Sequence, residues 1–172
     1  AQYLSINKLL EYSEVLGKHL GVIQQKSFET PGQLVYTMDK GIFPDDSTLR
    51  STIDKFKKQA ERNYQFKLNI DSLSIPSSNE YAMCPIDFHC KNLLIKDGEL
   101  RGIVDFERVY SGPRRWGYEN TLYMLQLTRS KPVAKEVRKK FQSGYLEVQD
   151  LPKYHPVFEL AAVLREMRAA HV

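Results

Sequence analysis

Three oxygen-bearing side chains stand at spacings suited to chemistry on a phosphate. Asp87 precedes Asn92 by five positions in Asp87-Phe88-His89-Cys90-Lys91-Asn92, and Asp105 follows a short apolar segment beyond them. An Asn amide and an Asp carboxylate are hard oxygen donors of the kind Mg²⁺ takes, because that ion binds few protein ligands and completes its shell with phosphate and water. Phosphoryl transfer asks for little covalent help. It needs a carboxylate to orient and deprotonate the attacking hydroxyl, and metal to neutralise the phosphates. Asp87 is the candidate base, and Asn92 and Asp105 are the candidate metal ligands.

A β-hairpin must position them. Leu93-Leu94-Ile95-Lys96 and Glu99-Leu100-Arg101-Gly102-Ile103-Val104 flank Asp97-Gly98. Asp-Gly between apolar runs is a strong hairpin signal, since a type I′ turn needs positive φ at both central residues. If Lys96 pairs with Glu99, paired residue numbers sum to 195, so Asn92 lies opposite Ile103 and Asp105 lies two residues beyond Ile103. Opposed residues share a face, as do residues two apart on one strand. Asn92 and Asp105 then emerge together at the open end of the hairpin, diagonal neighbours about 7–8 Å apart at the backbone.

The rest reads as helix. From Ile6 to Gln25, Leu9, Tyr12, Leu16, Leu20 and Ile23 form one apolar stripe. Gly17 and Gly21, one turn apart on it, predict the close approach of another element. Residues 26–45 read as loop, punctuated by Thr30-Pro31-Gly32 and Pro44-Asp45-Asp46. Ser47 is a good N-cap for a second helix with the stripe Leu49, Ile53, Phe56 and Ala60. An irregular stretch runs from Phe66 to Glu80. Beyond the hairpin, helices are expected from about Glu119 to Leu127, Val133 to Leu146, and His155 to the end, with Pro132 and Pro156 near helix starts, where a missing N–H costs little. The order is helices, one small hairpin, then more helices: an α+β, mainly helical single domain over residues 1–172.

Composition bounds the alternatives. At 172 residues and 42% hydrophobic, the chain buries enough apolar surface to fold without disulfides or metal staples. No run approaches the roughly 18 apolar residues of a membrane span. No basic region followed by an apolar core opens the chain, so no secretory signal is visible; the first residue, Ala1, suits a trimmed or internal piece. Two cysteines, Cys84 and Cys90, are too few for a disulfide framework, which predicts a reducing, cytoplasmic setting. Cys84, His89 and Cys90 lack a second ligand pair at zinc spacing. The net charge of +4 is dispersed over short groups such as Lys57-Lys58 and Arg138-Lys139-Lys140, which read as solvated helix faces rather than a nucleic-acid footprint.

The segment Pro85-Ile86-Asp87-Phe88-His89-Cys90-Lys91-Asn92-Leu93-Leu94-Ile95 resembles the H-G-D-[FL]-H-P-G-N-[VL]-L-[IV] signature of the aminoglycoside phosphotransferase and choline kinase superfamily. Gly102-Ile103-Val104-Asp105-Phe106-Glu107 is similar to the G-[VI]-[IV]-D-[FW]-[DEG] metal loop that follows in that family. Ser111-Gly112-Pro113-Arg114-Arg115-Trp116 is similar to its G-P-R segment, and Phe141-Gln142-Ser143-Gly144-Tyr145 to its late F-x-x-G-Y helix. Leu16-Gly17-Lys18-His19-Leu20 fits the helix just after the interlobe hinge.

The resemblance implies a protein-kinase-like fold, ATP as phosphoryl donor and a small-molecule hydroxyl as acceptor. Carried over, Asp87 is the base, Asn92 and Asp105 hold the magnesium that carries the nucleotide, and His89 shapes the loop. It also implies that these residues form a C-terminal lobe. No Gly-rich loop and no strand Lys with a helix Glu partner can be placed, so the nucleotide-covering lobe is expected on another segment or a second chain, and this piece alone should bind ATP poorly. Pro85 stands in place of the family's His, Ile86 in place of its Gly, Cys90-Lys91 in place of Pro-Gly, and Gly117 where an Asp usually follows. These departures favour an alternative, a pseudokinase-type binding or regulatory domain. A purely helical interaction module is a third reading that leaves the hairpin and its carboxylates without a purpose. Among the neighbours, Arg114 and Arg115 are expected either to pair with Glu107 or Glu119 or to touch phosphate, Trp116 to pack, and Tyr118, Tyr123 and Phe141 to lie in the core.

Overall fold

The computed structural model describes residues 5–37, 41–44, 49–65, 67, 69–70, 81–97, 99–106, 108–127 and 129–169. The first helix, α1 (Ile6–Ile23), starts at Ser5, whose hydroxyl accepts from the Lys8 amide at 3.3 Å. Its predicted stripe is real: Leu9, Tyr12, Leu16 and Leu20 are buried and Ile23 packs against the same core. The predicted close approach is made by α4 (Lys131–Leu146). A Cβ on Gly17 would land on the Phe141 carbonyl oxygen, and one on Gly144 would land on that of Glu14. Two helices whose backbones touch this way need glycine on both sides. Lys18–Glu147 (2.6 Å) and Lys140–Glu14 (2.9 Å) decorate the seam, but as exposed pairs they contribute little. Beneath it, Tyr118 of α3 (Arg114–Gln126) packs on Phe141 and Tyr145, with ring centroids 5.0 and 5.2 Å apart. Tyr118 and Phe141 are core residues as expected, while Tyr123 is half-buried.

A second core lies between α2 (Leu49–Tyr64) and α5 (Pro156–Ala169). Leu49, Ile53, Phe56 and Ala60 bury the expected stripe against Val157, Phe158, Ala161 and Leu164, with Trp116 packed among them. The cap expected at Ser47 lies outside the described residues, as does most of the stretch from Phe66 to Glu80. Each of the last three helices exists, and α3 and α4 begin earlier than the periodicity placed them. Among the described residues, no helix is long and apolar enough to cross a membrane.

The loop expected over residues 26–45 is largely strand, which corrects the order of helices around a lone hairpin. β1 (Ser27–Phe28), β2 (Gly32–Thr37), β3 (Gly41–Pro44), β4 (Tyr81–Pro85) and β7 (Val109–Gly112) form an antiparallel sheet in the order β1-β4-β7-β2-β3. The strands are short and their partners remote: Ser27 pairs with Ala82, Ala82 with Gly112, and Gly32 with Ser111. β1 is too short to show alternation, and in β2 the apolar residues Leu34, Val35 and Tyr36 run consecutively rather than alternating. Pro31-Gly32, read as loop punctuation, merely opens β2. The hairpin itself, β5 (Leu93–Lys96) and β6 (Glu99–Ile103), stands apart as a two-stranded ribbon. Lys96 pairs with Glu99 as expected, and Asp97 takes a φ of 55°, the left-handed value its turn requires.

Candidate functional site

Asp87 sits in the loop that leaves β4. Its neighbours Ile86 and Phe88 are both buried, Ile86 in the α2–α5 core and Phe88 in the α1–α4 core. The Ile86 amide also donates to the Arg108 carbonyl at 3.1 Å. With two anchors pulling into different cores, the intervening carboxylate is held near the surface, its side chain 24% exposed. His89 then caps a 3₁₀ turn, Cys90–Asn92: its Nδ1 accepts from the Lys91 amide at 3.2 Å. The turn brings Asn92 back to the start of the loop, where its Nδ2 donates to the Asp87 carbonyl oxygen at 2.8 Å. Five residues is the span this closure needs, which gives the Asp87–Asn92 spacing a physical meaning.

The tautomer of His89 follows from its contacts. With Nδ1 accepting, the neutral ring carries its proton on Nε2, which faces Asp87 Oδ1 at 3.4 Å. Burial, reinforced by Arg165 and Lys91 and opposed by Asp87 and Asp105, holds the imidazole below its ordinary value. At neutral pH His89 is therefore uncharged, with Nε2 turned toward Asp87.

The register that was to bring Asn92 opposite Ile103 needs correction. A β-bulge falls between Leu94 and Ile95. Ile95 pairs with Leu100, but Leu94 pairs with Gly102 and Leu93 with Ile103, leaving Arg101 as the extra residue. Asn92 is thus opposite Val104, whose amide donates to its carbonyl at 2.9 Å. Strict alternation would then send Asp105 to the other face. Asp105 breaks that alternation with a φ of 66°, a left-handed conformation that costs an L-residue about 1–2 kcal/mol. A non-glycine residue held there next to a candidate site is an expected place for stored strain. Asp105 is exposed, without a hydrogen bond or ion pair among the described residues, and close enough to act on His89. The structure thus joins Asp87 to Asn92 directly and sets Asp105 next to Val104, the residue whose amide bonds Asn92 just past the end of β6.

No group of three or more His, Cys, Asp or Glu side chains positioned for a metal exists among the described residues. One amide and one carboxylate are donors of the kind used by an ion that takes most of its shell from phosphate and water. Because Asn92 spends Nδ2 on the Asp87 carbonyl, its remaining Oδ1 is an acceptor, and the Asp105 carboxylate is unspent. By donor type alone, an amide oxygen and a carboxylate suit Mg²⁺.

Sequence reasoning missed Arg165. From α5 its Nη2 reaches Asp87 Oδ1 at 2.7 Å, and its Nη1 reaches Glu166 Oε1 at 2.5 Å, with the arginine side chain only 5% exposed. The available signal was one arginine directly after the apolar run Leu160-Ala161-Ala162-Val163-Leu164, a pattern that places a cation at the edge of a core.

The substituted supports have packing explanations. Pro85 ends β4 buried and paired with Val109, and the Ile86 side chain fills core. At Gly117 a Cβ would meet Gln24 Nε2 at 2.6 Å and Cys84 Sγ at 3.1 Å, so an aspartate there would require Gln24 to move and Cys84 to give way. Gln24 occupies that space, donating to the Arg114 carbonyl at 2.9 Å and accepting from the Tyr145 hydroxyl at 2.7 Å. Burial pushes Cys84 up to about 12 and Cys90 up to about 11; both are free thiols. Arg115 pairs with Glu119, one of the two partners expected, and Arg114 bonds Gln149. Glu107 lies outside the described residues. Comparisons with protein-family models, with curated proteins and with solved structures find no match.

Proposed function

We propose that this chain is the catalytic lobe of an ATP-dependent phosphotransferase that acts on a hydroxyl of a small molecule, with a protein-kinase-like arrangement. The observation that carries the reading is the closure of Asp87 and Asn92 into one loop by the 2.8 Å side-chain bond, beside a bulged hairpin that ends in Asp105 at positive φ. Asp87 Oδ1 is occupied by Arg165 and faced by His89, which leaves Oδ2 to orient the acceptor hydroxyl and take its proton. Asn92 Oδ1 and the Asp105 carboxylate hold Mg²⁺, which when bound neutralises the charge of the nucleotide phosphates. The nucleotide-covering part belongs to another segment or a second chain.

The test uses the complete native polypeptide, ATP and Mg²⁺, and a panel of amino-alcohols and aminoglycosides. Asp87→Asn is expected to lower phosphoryl transfer by about 10³-fold, with the fold retained by circular dichroism and the thermal midpoint lowered, because buried Arg165 loses a charged partner. Near-wild-type turnover in that variant refutes the base. The competing reading is a pseudokinase-type regulatory domain, favoured by Pro85, Ile86 and Gly117. Metal-dependent thermal stabilisation by ATP without turnover on any acceptor decides for nucleotide binding alone. No stabilisation at saturating nucleotide removes ATP from the proposal.

A further inference from the structure

A buried guanidinium is a costly group to place, because its desolvation must be offset by well-made charge-assisted hydrogen bonds. Arg165 has two such bonds, to two different carboxylates, so its plane cannot rotate freely. The element that carries it is firm. Ala161, Ala162 and Leu164 are buried immediately before it, and Asn63 of α2 donates to the Met167 carbonyl at 3.2 Å just beyond it. The loop it touches is equally constrained, with Ile86 and Phe88 buried on either side of Asp87. A rigid helix thus meets a rigid loop through one short contact of 2.7 Å, and that contact selects a single oxygen of the carboxylate.

We infer that Arg165 is the positioning residue for Asp87: from α5 it fixes Oδ1, and so makes Oδ2 the atom presented to the acceptor hydroxyl. The inference rests on the phosphotransferase reading and adds to it a residue from a distant part of the chain. Arg165 touches neither the acceptor nor the phosphates in this role. Its effect on rate is geometric, exerted through the orientation of Asp87.

The experiment compares wild type, Asp87→Asn, Arg165→Met, Arg165→Ala and Arg165→Lys in the complete native polypeptide, with folding followed by circular dichroism and steady-state kinetics in ATP and acceptor. Arg165→Met is expected to lower kcat by about 100-fold, the scale of loss for a misaligned catalytic group, with the KM for ATP within about twofold of wild type. Arg165→Lys preserves the charge but not the planar fork. It tests the same point if the Met variant unfolds, with an expected loss of about tenfold. Millimolar guanidinium should restore part of the kcat of Arg165→Ala at an unchanged folded fraction, which a purely structural arginine would not allow. If Arg165→Lys retains kcat within twofold of wild type while Asp87→Asn is inactive, the base stands and the positioning role falls. If Asp87→Asn retains full turnover, the base assignment fails and the inference goes with it.

Discussion

The seam between α1 and α4 and the ribbon β5–β6 are built on opposite principles. At the seam, Gly17 and Gly144 bring two backbones into contact above the packed rings of Tyr118, Phe141 and Tyr145. On the ribbon Leu94 and Ile95 are exposed, as are Val104 and Phe106 just beyond it, and two of the three non-glycine residues at positive φ among the described residues, Asp97 and Asp105, belong to it or follow it. The first region is closely packed, and the second is exposed and holds residues in a costlier backbone conformation. The loop carrying Asp87 joins them, anchored in the first and hydrogen-bonded through Asn92 to the second. Candidate chemistry thus lies at the boundary of a tightly packed region, where geometry is fixed but access remains.

The contrast breaks most sharply at Gly144. Gly144→Ala should destabilise the fold by about 3 kcal/mol or more, because backbone rather than a movable side chain must yield. Gly102→Ala on the ribbon, where a new Cβ finds only Leu94 Cδ1 at 3.6 Å, is the control and should stay within about 0.5 kcal/mol. Equal losses in urea unfolding at the two sites would show that the seam is not special.

A smaller effect of opposite sign is expected at Asp105. Asp105→Gly removes the left-handed penalty and should raise stability by about 0.5–1 kcal/mol. The same change should abolish any Mg²⁺-dependent stabilisation by nucleotide in the complete polypeptide. A fall in the urea midpoint would mean that the carboxylate supports the fold, and the idea of strain held for function would be lost.

The smallest effect is a slope. His89 sits below its ordinary value because it is buried, so as pH falls below about 6.5 the unfolded chain takes up a proton that the folded loop resists. More protons on the unfolded side means that stability declines in that direction. His89→Gln should flatten this acid limb between pH 7 and 5.5 by up to one proton's worth of slope. An unchanged limb would place the titration elsewhere.

Local pattern was legible wherever an element buries a stripe by itself. The stripes of α1 and α2, the glycine pair of α1 and the Lys96–Glu99 turn were all readable, since each depends on residues within one or two turns of chain. The five-stranded sheet was not. β1 has two residues, and its pairing partner Ala82 lies more than fifty positions away. The bulge at Leu94/Ile95 was equally hidden, because alternation along one strand does not reveal where its partner inserts a residue. The Asp87–Asn92 spacing was visible, but the hydrogen bond that explains it was not.

By itself the sequence determined the helices with their buried faces, the turn at Asp97, and the presence of two carboxylates and an amide at suggestive intervals. Those features come from local sterics and from the period at which a chain exposes its side chains. Tertiary structure alone decided that Arg165 would meet Asp87, that Gln24 would fill the space beside Gly117, and that Asp105 would turn left-handed. The first two follow from contacts between segments far apart in the chain, whose energies depend on where other elements place them; the third accompanies a register that alternation along one strand does not reveal.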